Sequence, residues 1–191
     1  QPTIESIFAD IKESFCFLFV GHWLPGALGE DRKNVSGLVK SFPEAFKGKE
    51  NAPALVLKTS GGTLSIMDRE DIVKKINQIK STINSNILPN IYIVYGDLTE
   101  EEMNDLYNHP KVKAHVTFTK GEGFGRPLLE FSLTGKPIIA SNWSGHKDFL
   151  TMDNSILIGG NLTEVDESTI DNFIIKGAKW FTANYNEASG A

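Results

Sequence analysis

Cysteine is nearly missing from this chain: Cys16 is the single one among 191 residues, inside an apolar run. One thiol closes no internal disulfide, and a reducing, cytoplasmic setting fits it. No apolar stretch nears the roughly 20 residues of a membrane helix. The start carries no basic region followed by an apolar one, which argues against a signal peptide. It also opens on Gln1 rather than methionine, so a domain of a longer protein is expected. Positive charge is in short supply: 19 Lys and Arg against 24 Asp and Glu give a net charge of -5, which argues against wholesale binding to nucleic acid or an anionic membrane. His-Glu-x-x-His, paired Cys-x-x-Cys, Gly-x-Ser-x-Gly, a Walker A loop and Asp-x-Asp are all absent. "GHWLPG" after the first apolar run does not supply a dinucleotide fingerprint.

What is present is an alternation. Continuous apolar runs at 15–20 (FCFLFV), 54–57 (ALVL), 91–95 (IYIVY), 112–118, 137–140 (PIIA) and 155–158 (SILI) read as strands, the buried kind that parallel sheets contain. Between them, Val35, Leu38, Val39 and Phe42 recur at helical spacing, as do Ile72, Val73, Ile76 and Ile79 behind an expected N-cap at Asp68. Thr99 to Glu102 matches a capping box. A helix is expected to open near Pro127, and residues 167–184 read as a closing helix with Ile170, Phe173, Ile174, Ala178 and Phe181 as its stripe. Residues 1–13 are a lead-in, extended or a short helix, and 14–191 are the domain proper. Strand–helix alternation predicts an α/β fold with parallel strands and right-handed crossovers.

In such sheets ligands gather beyond the carboxyl ends of the strands. The first strand is followed by His22, with Pro25 in the loop and Arg32 and Lys33 further on. Lys58, Thr59 and a loop through Gly62 follow the second, and Gly96, Asp97 and Leu98 the third. Lys120 to Arg126 follow the fourth, and Asn142 to His146 the fifth. An acidic chain has placed cations and a glycine-rich turn on one rim, which suits a small polyanion such as a nucleotide diphosphate. Glycines let backbone approach a ligand, and Pro127 suits the first helical position. Free N–H groups of that first turn favour a phosphate. Glu122 and Glu130 flank the turn, and carboxylates accept sugar hydroxyls. His109 beside Pro110 reads as a turn residue and His115 as structural, with His146 and Trp143 packing their loop.

Glu122 and Glu130 enclose seven residues, an E-x7-E pattern within "EGFGRPLLE…TGKPIIAS". With "FLFVG…EDRKN", "LVLKT" and "GDLTEEEMNDLY" before it, the stretch from about 15 to 160 resembles the donor-binding domain of retaining glycosyltransferases of the two-Rossmann-domain (GT-B) type, family 4 in particular. The resemblance implies an open, six-stranded, Rossmann-like parallel sheet with helices on both faces. It implies sugar contacts from Glu122, Gly123, Phe124 and Gly125, and a diphosphate held by Lys33, Arg32, Lys58, Arg126, His22 and the amide of Leu128. Ribose would fall to Glu130 and the nucleobase to Asp97 and Leu98, with Glu122 and Lys33 the catalytic pair. The family often has arginine where His22 stands, so Arg32 or Arg126 is the substitute.

The expected donor is UDP-, GDP- or ADP-sugar, with no cofactor and no metal. The acceptor (glycan, lipid, protein or small molecule) would sit on a separate N-terminal domain, leaving this chain alone nearly inactive. Nucleic acid is not an expected partner, and membrane contact is unassigned. A nucleotide-sugar epimerase of the same architecture, a non-catalytic nucleotide-binding module and a pyridoxal-dependent phosphorylase remain open.

Overall fold

A computed structural model describes residues 3–24, 28–61, 65–170 and 174–190; Pro25, Gly62 and Phe173 lie outside them. Six parallel strands form one sheet: β1 (Cys16–Val20), β2 (Ala54–Lys58), β3 (Ile91–Val94), β4 (Val112–Thr117), β5 (Ile138–Ser141) and β6 (Ser155–Ile158). Their order is β3-β2-β1-β4-β5-β6, so the chain reverses direction across the sheet at β1 and β4. This is the Rossmann-like half-domain expected from the sequence.

Strand periodicity sorts the core into two layers. Phe19, Leu55, Leu57, Val116 and Ile139 face helices α2 (Val35–Phe46) and α3 (Ile66–Ser81). Cys16, Leu18, Ala54, Val56 and Ile138 face the other way, onto α1 (Ile4–Ala9), α4 (Glu100–Asn108) and α5 (Arg126–Ser132). The lead-in is thus partly helical, capped by Thr3 and packed through Ile4 and Phe8. The capping box forms: Thr99 Oγ1 accepts from Glu102 N–H, and the Glu102 carboxylate accepts from Thr99 N–H. No helix among the described residues is long and apolar enough to cross a membrane.

Two expectations fail locally. Ser65 rather than Asp68 caps α3. Asp68 lies three residues inside, where its carboxylate accepts from Gly61 N–H and the Tyr95 hydroxyl. The closing helix is also not found among the described residues of 167–184. Residues from Gly160 on form an antiparallel pair, β7 (Gly160–Glu164) with β8 (Lys179–Ala183), before a single turn, α6 (Tyr185–Ala188). Trp180, Phe181 and Ala183 bury themselves as strand residues. Cross-strand hydrogen bonds and tertiary packing override the helical spacing of the stripe.

His115 of β4 is fully enclosed, beside Phe131 at 5.3 Å, with neither ring nitrogen hydrogen-bonded among the described residues. Burial pushes its pKa down to about 3, so the folded chain holds it neutral. The unfolded chain takes up a proton near the ordinary value of about 6.5 and the folded one does not. Stability is therefore complete above that value and declines as pH falls toward 3, by at most about 1.4 kcal/mol per pH unit. His115→Leu is expected to flatten this decline in urea titrations between pH 6.5 and 4. An unchanged slope would assign the acid sensitivity to other groups.

Candidate functional site

The loops after β1, β2, β3, β4 and β5 all leave from the same edge of the parallel sheet. Sequence distance there becomes spatial proximity. Residues 31–34 close onto residues 118–122, nearly ninety positions away. The Asp31 carboxylate, buried, accepts from Val35 N–H at 2.8 Å, Ser36 N–H at 3.3 Å and the Ser36 hydroxyl at 2.5 Å. It therefore caps α2 from three residues before Asn34, the residue that takes a left-handed conformation (φ 54°). The Asn34 side-chain amide donates to the Phe118 carbonyl and to the Tyr185 hydroxyl. Lys120 N–H in turn donates to the Arg32 carbonyl.

That frame presents Arg32 and Lys33. The Lys33 ammonium pairs with the Glu122 carboxylate, and the two side chains are only 14% and 13% exposed. Arg32 Nη1 donates to the Gly121 carbonyl at 2.7 Å and stands 4.0 Å from Glu122. Glu122 is gripped through its own backbone. Its N–H donates to Ser144 Oγ, the Ser144 hydroxyl donates back to its carbonyl, and Gly145 N–H reaches the same carbonyl at 3.1 Å. Ser144 holds φ 82° to do this, a conformation that costs an L residue about 1–3 kcal/mol and persists where its surroundings fix it. Gly123 and Phe124 follow, exposed, with the Phe124 ring against Phe149. Gly125 has φ +86° and turns the chain into α5.

One helical turn on, the Glu130 carboxylate accepts from Arg126 Nε at 2.5 Å and from the Tyr107 hydroxyl at 3.1 Å. Burial, then Glu130, pushes the Tyr107 phenol up, so it stays protonated and donates. Both partners of Glu130 line a cavity of about 560 Å³ with Leu98, Met103 and Pro127. Leu98 thus stands beside Glu130, while Asp97 is exposed before it.

Not every expected residue joins these two clusters. Lys58 ends β2; burial lowers its pKa, and the Asp97 carboxylate opposes that shift. His22 Nδ1 meets Ser60 Oγ at 2.9 Å. Both occupy the same rim without contacting either glutamate. Leu128 departs further: its side chain is core, and its N–H donates to the Gly125 carbonyl. Pro127 sits second in α5, after Arg126, and has no N–H. The first turn thus offers a phosphate fewer free donors than the sequence implies. Sequence reasoning missed Asp31, whose partners lie four and five residues on, and Asn34 and Tyr107, whose partners are remote in the chain.

The fold is that of one half of a GT-B glycosyltransferase. The chain is similar to the C-terminal domain of a group 1 glycosyltransferase from Francisella tularensis, with TM-score 0.56 and 14% identity over 79% of this chain and 70% of that one. It is similar to a UDP-forming α,α-trehalose-phosphate synthase from Burkholderia vietnamiensis, with TM-score 0.60 and 11% identity over 82% of this chain and 35% of that one. An Anabaena protein solved in complex with UDP-glucose matches with TM-score 0.50 and 16% identity, over 75% of this chain and 35% of that one. The chain therefore spans about a third of the latter two proteins. No protein-family model and no curated protein sequence matches it.

Proposed function

We propose that this chain is the donor-binding half of a retaining glycosyltransferase that takes a UDP-, GDP- or ADP-sugar and needs no metal or cofactor for it. The observation that carries the reading is the division of labour across one turn. Glu122 stands in a cluster with Lys33 and Arg32, and Glu130 lines a cavity with Leu98, with only the glycine-rich turn between them. A nucleotide sugar has two hydroxyl-bearing rings separated by a diphosphate, and this spacing of carboxylates matches it. Glu130 would accept the ribose hydroxyls, Leu98 and Asp97 border the base, and Lys33, Arg32 and Arg126 face the diphosphate. His22 and Lys58 stand on the rim as longer-range cations.

As the bond from the sugar's anomeric carbon to the diphosphate oxygen breaks, that oxygen takes the electron pair. Lys33 and Arg32 stabilise the growing negative charge, an effect usually large in catalysis. Glu122, exchanging Lys33 for sugar hydroxyls, holds the ring so that the acceptor oxygen bonds to the anomeric carbon on the face the diphosphate leaves. The acceptor's proton passes to the departing diphosphate. Acceptor binding on a second domain leaves the isolated chain able to bind donor and nearly unable to transfer.

Calorimetric titration with UDP, GDP and ADP and their glucose or mannose conjugates tests this. One nucleotide is expected to bind, its sugar conjugate more tightly, and Glu122→Ala to remove the sugar's increment without weakening the bare nucleotide. No binding of any of the series would sink the reading. Release of a free epimer instead of a glycoside by the two-domain protein would assign an epimerase.

A further inference from the structure

The hairpin β7–β8, in place of the expected helix, creates a cavity that the donor site does not need. We propose that this cavity, about 390 Å³ between the hairpin and residues 120–123, is a second sugar subsite that takes a pyranose with an anionic substituent, the residue of the acceptor next to the reacting hydroxyl; this rests on the donor reading above. It shares Glu122 and Gly123 with the donor-sugar position. It then extends away from Phe124 and Gly125 toward the hairpin, so a ring bound in it lies beside the transferred sugar without occupying its place.

The walls are those of a carbohydrate site. Trp143 is 41% exposed, and its indole is held flat on Phe181, at 5.9 Å between centroids and 4° between planes. A fixed, half-exposed indole offers the apolar C–H face of a pyranose a platform at little entropic cost. Trp180 lines the opposite side, nearly buried, and its Nε1 has no hydrogen-bond partner among the described residues. Lys120 lies over the Trp180 ring at 4.9 Å and is already engaged by Glu30 and Thr182. Lys179 is different: it lines the cavity, is exposed, and has no carboxylate within ion-pair distance among the described residues. Arg32, Lys120 and Lys179 outnumber Glu122 among the charged residues of the lining, which favours a carboxylate or phosphate on the bound ring.

The hairpin is tied to the glycine-rich loop, since Phe181 N–H donates to the Lys120 carbonyl. Both walls therefore keep one spacing.

The test is saturation-transfer NMR and tryptophan fluorescence on this chain, saturated with whichever nucleotide binds. The probes are methyl glucuronide, glucose 6-phosphate and methyl glucoside. The two anionic probes are expected to bind about two- to fivefold more tightly than the neutral one, the range of an exposed charge pair. Lys179→Ala should erase that difference. Trp143→Ala should abolish binding of all three while nucleotide affinity and the melting temperature hold. If nucleotide binds but no probe does, or if Trp143→Ala leaves saccharide binding intact, the subsite is overturned and the donor reading stands. Equal binding of charged and neutral probes overturns the anionic selection. If no nucleotide binds, the donor reading fails and this inference falls with it.

Discussion

Glu130→Ala is expected to weaken nucleotide binding by roughly ten- to a hundredfold, because a hydrogen bond to a charged acceptor contributes about 1.5–3 kcal/mol. The carboxylate is already aimed. Arg126 and the Tyr107 hydroxyl hold it from two sides, so little ordering remains to be done when ribose arrives. The exposed Arg126 pairing stabilises the fold little in water. Tyr107 loses its acceptor in the variant, and its side chain is buried, so a fall in melting temperature is expected alongside the large fall in affinity. Calorimetry and a thermal melt on the same samples separate the two. Unchanged affinity would remove Glu130 from the ribose site. A Tyr107→Phe variant should lose less affinity than Glu130→Ala, since Arg126 still positions the carboxylate.

Gly145→Ala should damage both stability and the sugar end of the site. A Cβ at this position would stand closer to the Gly123 carbonyl oxygen than real Cβ atoms come, and 3.1 Å from the Glu122 carbonyl oxygen. Those are backbone atoms, held by the Ser144 clasp, and cannot swing aside as a side chain does. Overpacking of this kind costs about 1–3 kcal/mol. For a chain of this size each kcal/mol lowers the melting temperature by roughly 2–4 °C. Relief requires the 122–123 backbone to move, which displaces the Glu122 carboxylate from Lys33. The expected result is a lower melting point together with loss of the affinity that the sugar adds to the nucleotide, measured by paired titrations. If Gly145→Ala binds the sugar conjugate as well as the parent does, the clasp has no role in placing Glu122.

Much of the architecture was open to reading along the chain. Six apolar runs separated by helical stripes define a parallel sheet, since burial on both faces leaves no polar alternation in its strands. The capping box at Thr99 was equally legible, because both halves of its exchange lie within four residues. Glu122 and Glu130 announced themselves by spacing around a glycine-rich turn. The segment from 160 to 184 misled for a related reason. Its apolar residues fit a helical stripe, and Phe181 and Trp180 gain more burial as strand residues beside Trp143 and Lys120. Local pattern carries no information about that neighbour.

The sequence by itself determined the layers, the sheet edge from which the loops leave and the glycine-rich turn between Glu122 and Glu130, because periodicity and turn chemistry act over a few residues. Only the tertiary structure decided which cation meets which carboxylate. Lys33 pairs with Glu122, Arg126 with Glu130, and Lys58 faces Asp97. It also decided that the Leu128 amide is occupied and that Asp31, not a residue of the first helical turn, caps α2. Arg126 with Glu130, Asp31 with Val35 and Leu128 with Gly125 are three or four residues apart and turn on local backbone geometry, whereas Lys33 with Glu122 and Lys58 with Asp97 span the sheet. Charges and hydrogen-bond partners are chosen by distance in space, and a parallel sheet brings its strand ends together through crossovers that no local stretch of sequence encodes.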